Sequence, residues 1–374
     1  MAIEISSGGV SKTYRYYPRD KFYVDANGNV NTSGQGQQVR EAYFNGVKYY
    51  PEDIPNIQYI CWSQYSSVEN LDPTITYYPY VTKCVVSVIK WMNDVTRSHA
   101  GGSSIPTMLE LPACTTIEMQ AFAGVSRLES IDIPNCASID NRAFERCTSL
   151  KNVGTTGTLK NLAAVAFSGC SSLETIDISG CTSIGSSTFE NCEALSSIDL
   201  SAIGKINSRA FYNSGLVSVD SPATEVGSSC FTNCKSLTSV NLPNCSALGG
   251  SAFMNCVALA RVNIPLVTAI GADTFASCQA LTSISLPLCT SVGSYALSDC
   301  PLTNVNIPLC ETVGVEAFRW DTELTSVSFP RCTHVYEKAF ADCTSLTDVT
   351  VADGCQFDRD VFYHIYPRPQ VHYA

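Results

Sequence analysis

The sequence predicts a solenoid of about twelve coils, each of about 22 residues and each contributing a short strand to one parallel sheet. A small, Tyr-rich, mainly β segment precedes it. Three observations predict this. One phenylalanine position recurs at nearly constant spacing, a fixed set of apolar and turn residues travels with it, and residues 1–104 lack the pattern altogether.

The recurring position is Phe122, Phe144, Phe167, Phe189, Phe211, Phe231, Phe253, Phe275, Leu297, Phe318, Phe340 and Phe362, with gaps of 20 to 23 residues. Self-similarity at a fixed period of this length marks a repeat architecture, in which each unit is too small to bury its own apolar face and stacks on its neighbours instead. Around each Phe lies L-x-x-I-x-I-P-x-C-x-x-I-G-x-x-A-F-x-x-C. The unit from Leu237 through Val240, Leu242, Pro243, Cys245, Leu248, Gly249, Ala252 and Phe253 to Cys256 fits throughout.

Each part has a physical task. The alternation in I-x-I is that of a short strand with one buried face. Proline then ends the strand, because it has no N–H to give to a ladder (Pro112, Pro134, Pro243, Pro265, Pro287, Pro308, Pro330). The following glycine (Gly185, Gly227, Gly249, Gly271, Gly293, Gly314) is expected to supply a turn with positive φ. The Phe column is expected to stack inside as the thickest layer of the core. At ~4.8 Å per strand, a dozen coils extend roughly 55–60 Å.

The joint recurrence of I-P, I-G, A-F and C-x-x-L resembles the BspA-like leucine-rich repeat family over about residues 105–362. The fold expected is therefore a leucine-rich-repeat solenoid. Three places depart from the pattern: Gly154-Thr155-Thr156-Gly157 replaces the Pro-x-Cys step, Ser201-Ala202 stands at the same step two coils later, and the unit between Phe211 and Phe231 is two residues short. The resemblance implies surface-exposed or secreted proteins that bind other proteins or attach cells, and it implies no catalytic activity. The domain division expected is 1–104 as a capping or attachment domain, 105–362 as the solenoid and 363–374 as a C-terminal cap.

Residues 1–104 hold 12 of the 18 Tyr. Asp25–Asn29 and Asn45–Gly46 are turn signals between β-like runs, and residues 43–50 read as a hairpin. Val85, Val88, Ile89, Met92 and Val95 have helical spacing and predict a helix near 83–96, placed to cover the first coil. Gly101–Ser104 reads as a short joint. The tail from Tyr363, with Pro367 and Pro369, suits a cap that ends strand addition.

Net charge is −11 and lies wholly in residues 105–374, which carry 25 acidic against 14 basic side chains. Such a surface repels phosphate backbones, so no nucleic acid partner is expected. No run of 18 apolar residues occurs, so no transmembrane helix is expected. Residues Met1–Ser6 lack a basic and an apolar region, so the chain as given carries no secretory signal. Cell surface and extracellular space follow from the resemblance, while a virion or the cytoplasm stays open.

The 19 Cys are odd in number and fall mostly in two columns. Eight lie three residues after the Phe position (Cys147, Cys170, Cys192, Cys234, Cys256, Cys278, Cys300, Cys343). Seven lie near the strand end (Cys114, Cys136, Cys181, Cys245, Cys289, Cys310, Cys332). No Cys-x-x-Cys occurs, so zinc is not expected. Side chains stacked in parallel do not bring their Cβ atoms to disulfide distance, so free, buried thiols donating weakly to turn carbonyls are expected. The four His (His99, His334, His364, His372) form no known catalytic pattern, and no Gly-rich phosphate loop is present. Neither an enzyme nor a cofactor or metal is expected.

The strand face is the candidate binding surface. Its outward column runs Asp132, Gly154, Asp177, Asp199, Asp220, Asn241, Asn263, Ser285, Asn306, Ser328, Thr350, flanked by residues such as Arg261. Of these, Asp132, Asp177, Asp199, Asp220, Asn241, Asn263, Arg261 and Asn306 are the candidate contacts to an unidentified protein or glycan. The strip has no aromatic platform for a sugar and no Trp or Tyr anchor for a protein. The functions expected are a non-catalytic binding or adhesion protein or, alternatively, a structural part of an extracellular assembly such as a phage tail fibre, with residues 1–104 as attachment module. The sequence leaves the oligomeric state open.

Overall fold

The computed structural model describes residues 107–374 apart from Ala113, together with the backbone of six short strands within residues 1–84. Among the described residues there is no helix; the chain winds as a β-solenoid. The expected hairpin at 43–50 and the joint at 101–104 lie outside the described residues. The Asp25–Asn29 turn signal is flanked by strands Tyr23–Val24 and Val30–Asn31, which pair antiparallel. The helix expected near 83–96 begins instead on a two-residue strand, Lys83–Cys84, paired in parallel with Thr116–Ile117; its remaining residues lie outside the described set.

Each coil has three sides. The first is the L-x-x-I-x-I strand. Ser130–Asp132, for example, pairs in parallel with Met108–Glu110 and with Asn152–Gly154 in strict register. The inward residue is buried and its two neighbours face out, as in Ser218–Val219–Asp220. This ladder is interrupted at residues 196–200, one of the units lacking the Pro-x-Cys step, and again between Asn263 and Ser283 and between Asn306 and Ser326. The other irregular step, at 154–157, is held by threonines: Thr155 Oγ1 donates to Asp177 O at 2.6 Å and Thr156 Oγ1 to Pro134 O at 2.7 Å.

The second side is also a parallel ladder, which extends the expectation of a single sheet. Two-residue strands at the x-I of I-G pair coil to coil, as in Glu225–Val226 with Lys205–Ile206 and with Ala247–Leu248. Strand geometry at both sites has one cause: an inward β-branched or Leu residue flanked by outward polar ones.

The glycine that follows departs from the positive φ expected of it. None of Gly185, Gly227, Gly249, Gly271, Gly293 and Gly314 adopts a left-handed conformation. A Cβ there would instead meet backbone of the preceding coil, within 2.7 Å at five of the six and at 3.1 Å at Gly271. Close approach of neighbouring coils, and not turn handedness, requires glycine here.

Positive φ is found on the third side. In every coil the residues two before and two after the Phe position are left-handed, with φ between 53° and 77°. Only Gly124 and Gly169 among these 24 positions are glycine. The alternation of hand aims every second N–H along the solenoid axis. Gln120 N, Phe122 N and Gly124 N donate to Asn141 O, Ala143 O and Glu145 O at 3.0, 2.7 and 2.7 Å. The third side is thus hydrogen-bonded from coil to coil as the ladders are, which leaves few buried backbone groups without partners.

Inside, the Phe rings form the expected column. Consecutive rings lie 5.0 to 6.0 Å apart with planes within 16° of parallel, interrupted at Leu297. The apolar interior is one continuous cluster from Leu109 to Ile365. The tail supplies a further strand, Gln370–Tyr373, parallel to Asp348–Val351.

Candidate functional site

Strand geometry places the candidate residues on the outer face of the first ladder, because odd and even residues of a strand point to opposite sides. Asp220, Asn241 and Asn263 stand in register in three successive coils and bond to one another. Asn241 Nδ2 donates to Asp220 Oδ1 at 2.8 Å, and Asn263 Nδ2 donates to Asn241 Oδ1 at 2.7 Å. Arg261 is exposed two residues before Asn263. Asn306 Nδ2 donates to Ser285 Oγ at 2.9 Å.

The remaining acids serve the backbone. Asp177 Oδ1 and Asp199 Oδ1 each accept the N–H of the residue two further on, Ser179 and Ser201, at 2.9 Å. The Ser179 hydroxyl and then its N–H hold the Asp177 carboxyl below the usual carboxylate range. The Ser201 N–H and then its hydroxyl do the same for Asp199. Asp132 leans over Gly154 of the next coil, where a Cβ would collide with its carboxylate. The structure thus brings Asp220, Asn241 and Asn263 into direct contact and spreads the other five along the face. The strip offers carboxylate and amide acceptors already engaged with their neighbours, so its chemistry is that of a stiff polar surface.

The two cysteine columns do what their spacing suggests. Each of the eight thiols after the Phe position donates to the carbonyl of the Phe position one coil back, at 2.9 to 3.3 Å. Six of the seven strand-end thiols donate to the carbonyl two residues on, at 3.2 to 3.4 Å; Cys181 donates to Leu159 O at 3.4 Å. The 17 described cysteines are free, and all but Cys355 are buried. Burial pushes the thiols up, Cys136 and Cys278 to about 12 and Cys234 to about 11. A protonated, buried thiol is neither nucleophile nor metal ligand. No group of three or more His, Cys, Asp or Glu among the described residues is arranged to hold a metal.

Three of the four histidines pair with an aspartate of a neighbouring coil: His334 Nε2 with Asp358 Oδ1 at 2.9 Å, His364 Nδ1 with Asp342 Oδ1 at 2.9 Å, and His372 Nε2 with Asp348 Oδ1 at 3.1 Å. They lie on three different sides of the last coils. His99 lies outside the described residues.

Sequence reasoning missed two features. One is the group around Trp320 on the turn face. The other is Asp321, a carboxylic acid at the position that the eight coils above give to cysteine. Both stood two and three residues after Phe318, where the other coils read Gly or a polar residue and then, in eight of eleven, Cys; that break in the repeat was the available signal.

The geometry is that of a leucine-rich-repeat solenoid with a polar strand face, and comparison with known proteins refines the class. The BspA type leucine rich repeat region matches in six copies, over residues 115–238, 205–319 and 246–366, and the chain belongs to that family. A leucine-rich repeat protein of Bacteroides ovatus is similar to it in structure, with a TM-score of 0.50, 20% identity, and coverage of 82% of this chain and 93% of the other. A leucine rich cell surface protein of Faecalibacterium prausnitzii matches with a TM-score of 0.47, 19% identity and coverage of 79% and 83%. No curated protein matches the sequence.

Proposed function

We propose that the chain is a non-catalytic binding or adhesion protein that presents its polar solenoid surface to a protein or glycan partner. Family membership supports this reading. The observation that carries it is the strand face itself: exposed Asp, Asn, Ser and Thr in successive coils, mounted on one continuous apolar core. Adjacent Asp177 and Asp199 repel by roughly 0.9 kcal/mol in water at ~4.8 Å. That is a small cost, and it is compatible with a row of acids kept for a basic or hydroxyl-rich partner. The test is a triple variant, Asp177→Ala, Asp199→Ala and Asp220→Ala, screened beside the wild type on protein and glycan arrays. Loss of a wild-type signal by tenfold or more is expected; an unchanged profile removes the acidic strip from the account.

A second reading is a structural part of an extracellular assembly, with residues 1–104 as attachment module. The abundance of free thiols favours it, because such thiols suit a protein that folds in a reducing compartment. Sedimentation of the full chain separates the two: self-association at micromolar concentration favours the structural reading, and a monomer favours the binding one.

A further inference from the structure

The turn face of the last coils carries an exposed indole beside a guanidinium, a pairing not found on the candidate strip of the strand face. The position two after the Phe column is left-handed in every coil, and elsewhere in the chain it is Gly, Asn, Asp, Ser, Arg or His. In the Phe318 coil it is Trp320, with φ of 67°. A bulky residue in this region costs of order 1–3 kcal/mol. Trp320 recovers only part of that cost by burial, since 49% of it stays exposed. A half-exposed indole kept at a left-handed position points to a role outside folding.

The ring is also held in place. The Arg319 guanidinium lies 4.0 Å from the Trp320 ring centroid. That guanidinium is fixed in turn by Glu316 of its own coil and by Asp342 of the next, whose Oδ2 is 3.4 Å from Nε. Asp342 Oδ1 meets His364 one coil further on. On the preceding coil Tyr295 is likewise left-handed and exposed, with its phenol pushed up by burial and then by the charge of Glu316.

We propose that Trp320 is the stacking platform of a carbohydrate site, and that its ligand is a neutral, hydroxyl-rich polysaccharide lying along the turn face. This assignment rests on the binding-protein reading above and moves its centre from the strand face to the third side of the coil. An exposed indole presents a negative π face to the polarised C–H groups of a pyranose. The carboxylate, guanidinium and imidazole groups beside it can hydrogen-bond to sugar hydroxyls. Acids dominate the surroundings, and the single guanidinium is already shared between two of them, so sulfated, sialylated or phosphorylated glycans are disfavoured. A protein anchor would need an apolar, desolvated surround; here the same column places Asp299 and Asp342 on either side of the ring. Coils repeat at ~4.8 Å, close to the length of one hexose in an extended chain. Successive sugars therefore meet Asp299, Trp320, Asp342 and His364 in turn.

Native gel electrophoresis of the full chain in gels containing dextran, mannan, laminarin, galactan or xylan tests this. The wild type is expected to be retarded by at least one of them. Trp320→Asn should weaken that retardation tenfold or more while raising Tm, because Asn suits the left-handed position. Trp320→Tyr should retain part of it. Passage of the wild type unretarded through all five gels, or full retardation of a folded Trp320→Asn, overturns the assignment. A partner captured on the arrays through the strand strip would then still uphold the wider binding reading.

Discussion

Two backbone positions recur from coil to coil: one is glycine in six of the twelve coils, and the other is left-handed in all twelve. The glycine after the second strand is needed because neighbouring coils come together with no room for a Cβ, whereas the left-handed pair around the Phe position is filled by Asn, Asp, Ser and even Arg or Val. The first demand is steric and admits no relief by side-chain rotation, since the opposing atoms are backbone. Gly249→Ala places a methyl within 2.6 Å of Gly227 C and is expected to destabilise by about 1–3 kcal/mol, as overpacking does. Gly204 is exposed, lacks positive φ, and would meet nothing nearer than 3.8 Å. Gly204→Ala should stabilise by about 0.4–1 kcal/mol through the unfolded chain. Urea midpoints of the two variants should move in opposite directions.

At the scale of one coil, the unit around Leu297 and its successor break the interior pattern together. Leu297 interrupts the Phe column, and Asp321 replaces the thiol that elsewhere donates to the carbonyl of the coil behind. Cys300 N–H turns away from its usual acceptor and donates to Asp321 Oδ1 at 2.8 Å, while Asp321 Oδ2 is buried without a partner. Burial raises the Asp321 pKa well above its ordinary value. A carboxyl whose folded pKa exceeds the unfolded value contributes its stability fully at pH below the unfolded pKa, near 3.9, and loses it as pH rises towards the folded pKa. Asp321 therefore weighs against the fold at neutral pH. Asp321→Cys restores the column residue and should stabilise by about 1–3 kcal/mol at pH 7. The gain should shrink as pH falls from 7 towards 4 and be smallest below it, which paired chemical denaturation curves at pH 7 and pH 4 can measure.

Across the whole molecule, stability is a sum over neighbouring coils, since each contacts only the next. Phe253 is fully buried between Phe231 and Phe275 at 5.4 Å on both sides. Phe253→Ala is expected to cost about 3–5 kcal/mol. Phe362 is partly buried and stacks on Phe340 alone in the column, at 6.0 Å, so Phe362→Ala should cost less than half as much. Amide exchange should follow the same gradient, slowest in the central coils and fastest after residue 355. The three His–Asp pairs and the Arg359–Glu337 pair tie those last coils to their neighbours, but each has an exposed member and adds little.

The repeat period, the inward Leu, Ile and Phe, the strand-ending prolines and the thiol columns were all legible in the sequence, because each is dictated by a local period that burial must respect. The outward column of Asp132 to Asn306 was legible as a surface for the same reason. Its internal bonds were not, because Asn241 reaches Asp220 only once the coils stack in register. The close approach at Gly249, the left-handed residues around each Phe and the second ladder also belong to the tertiary structure. All three arise from backbone of one coil meeting backbone of the next, about 22 residues away in the chain. A sequence pattern records which side chains face inward; how near two turns of main chain come, and which N–H groups that distance satisfies, is decided only when they are packed.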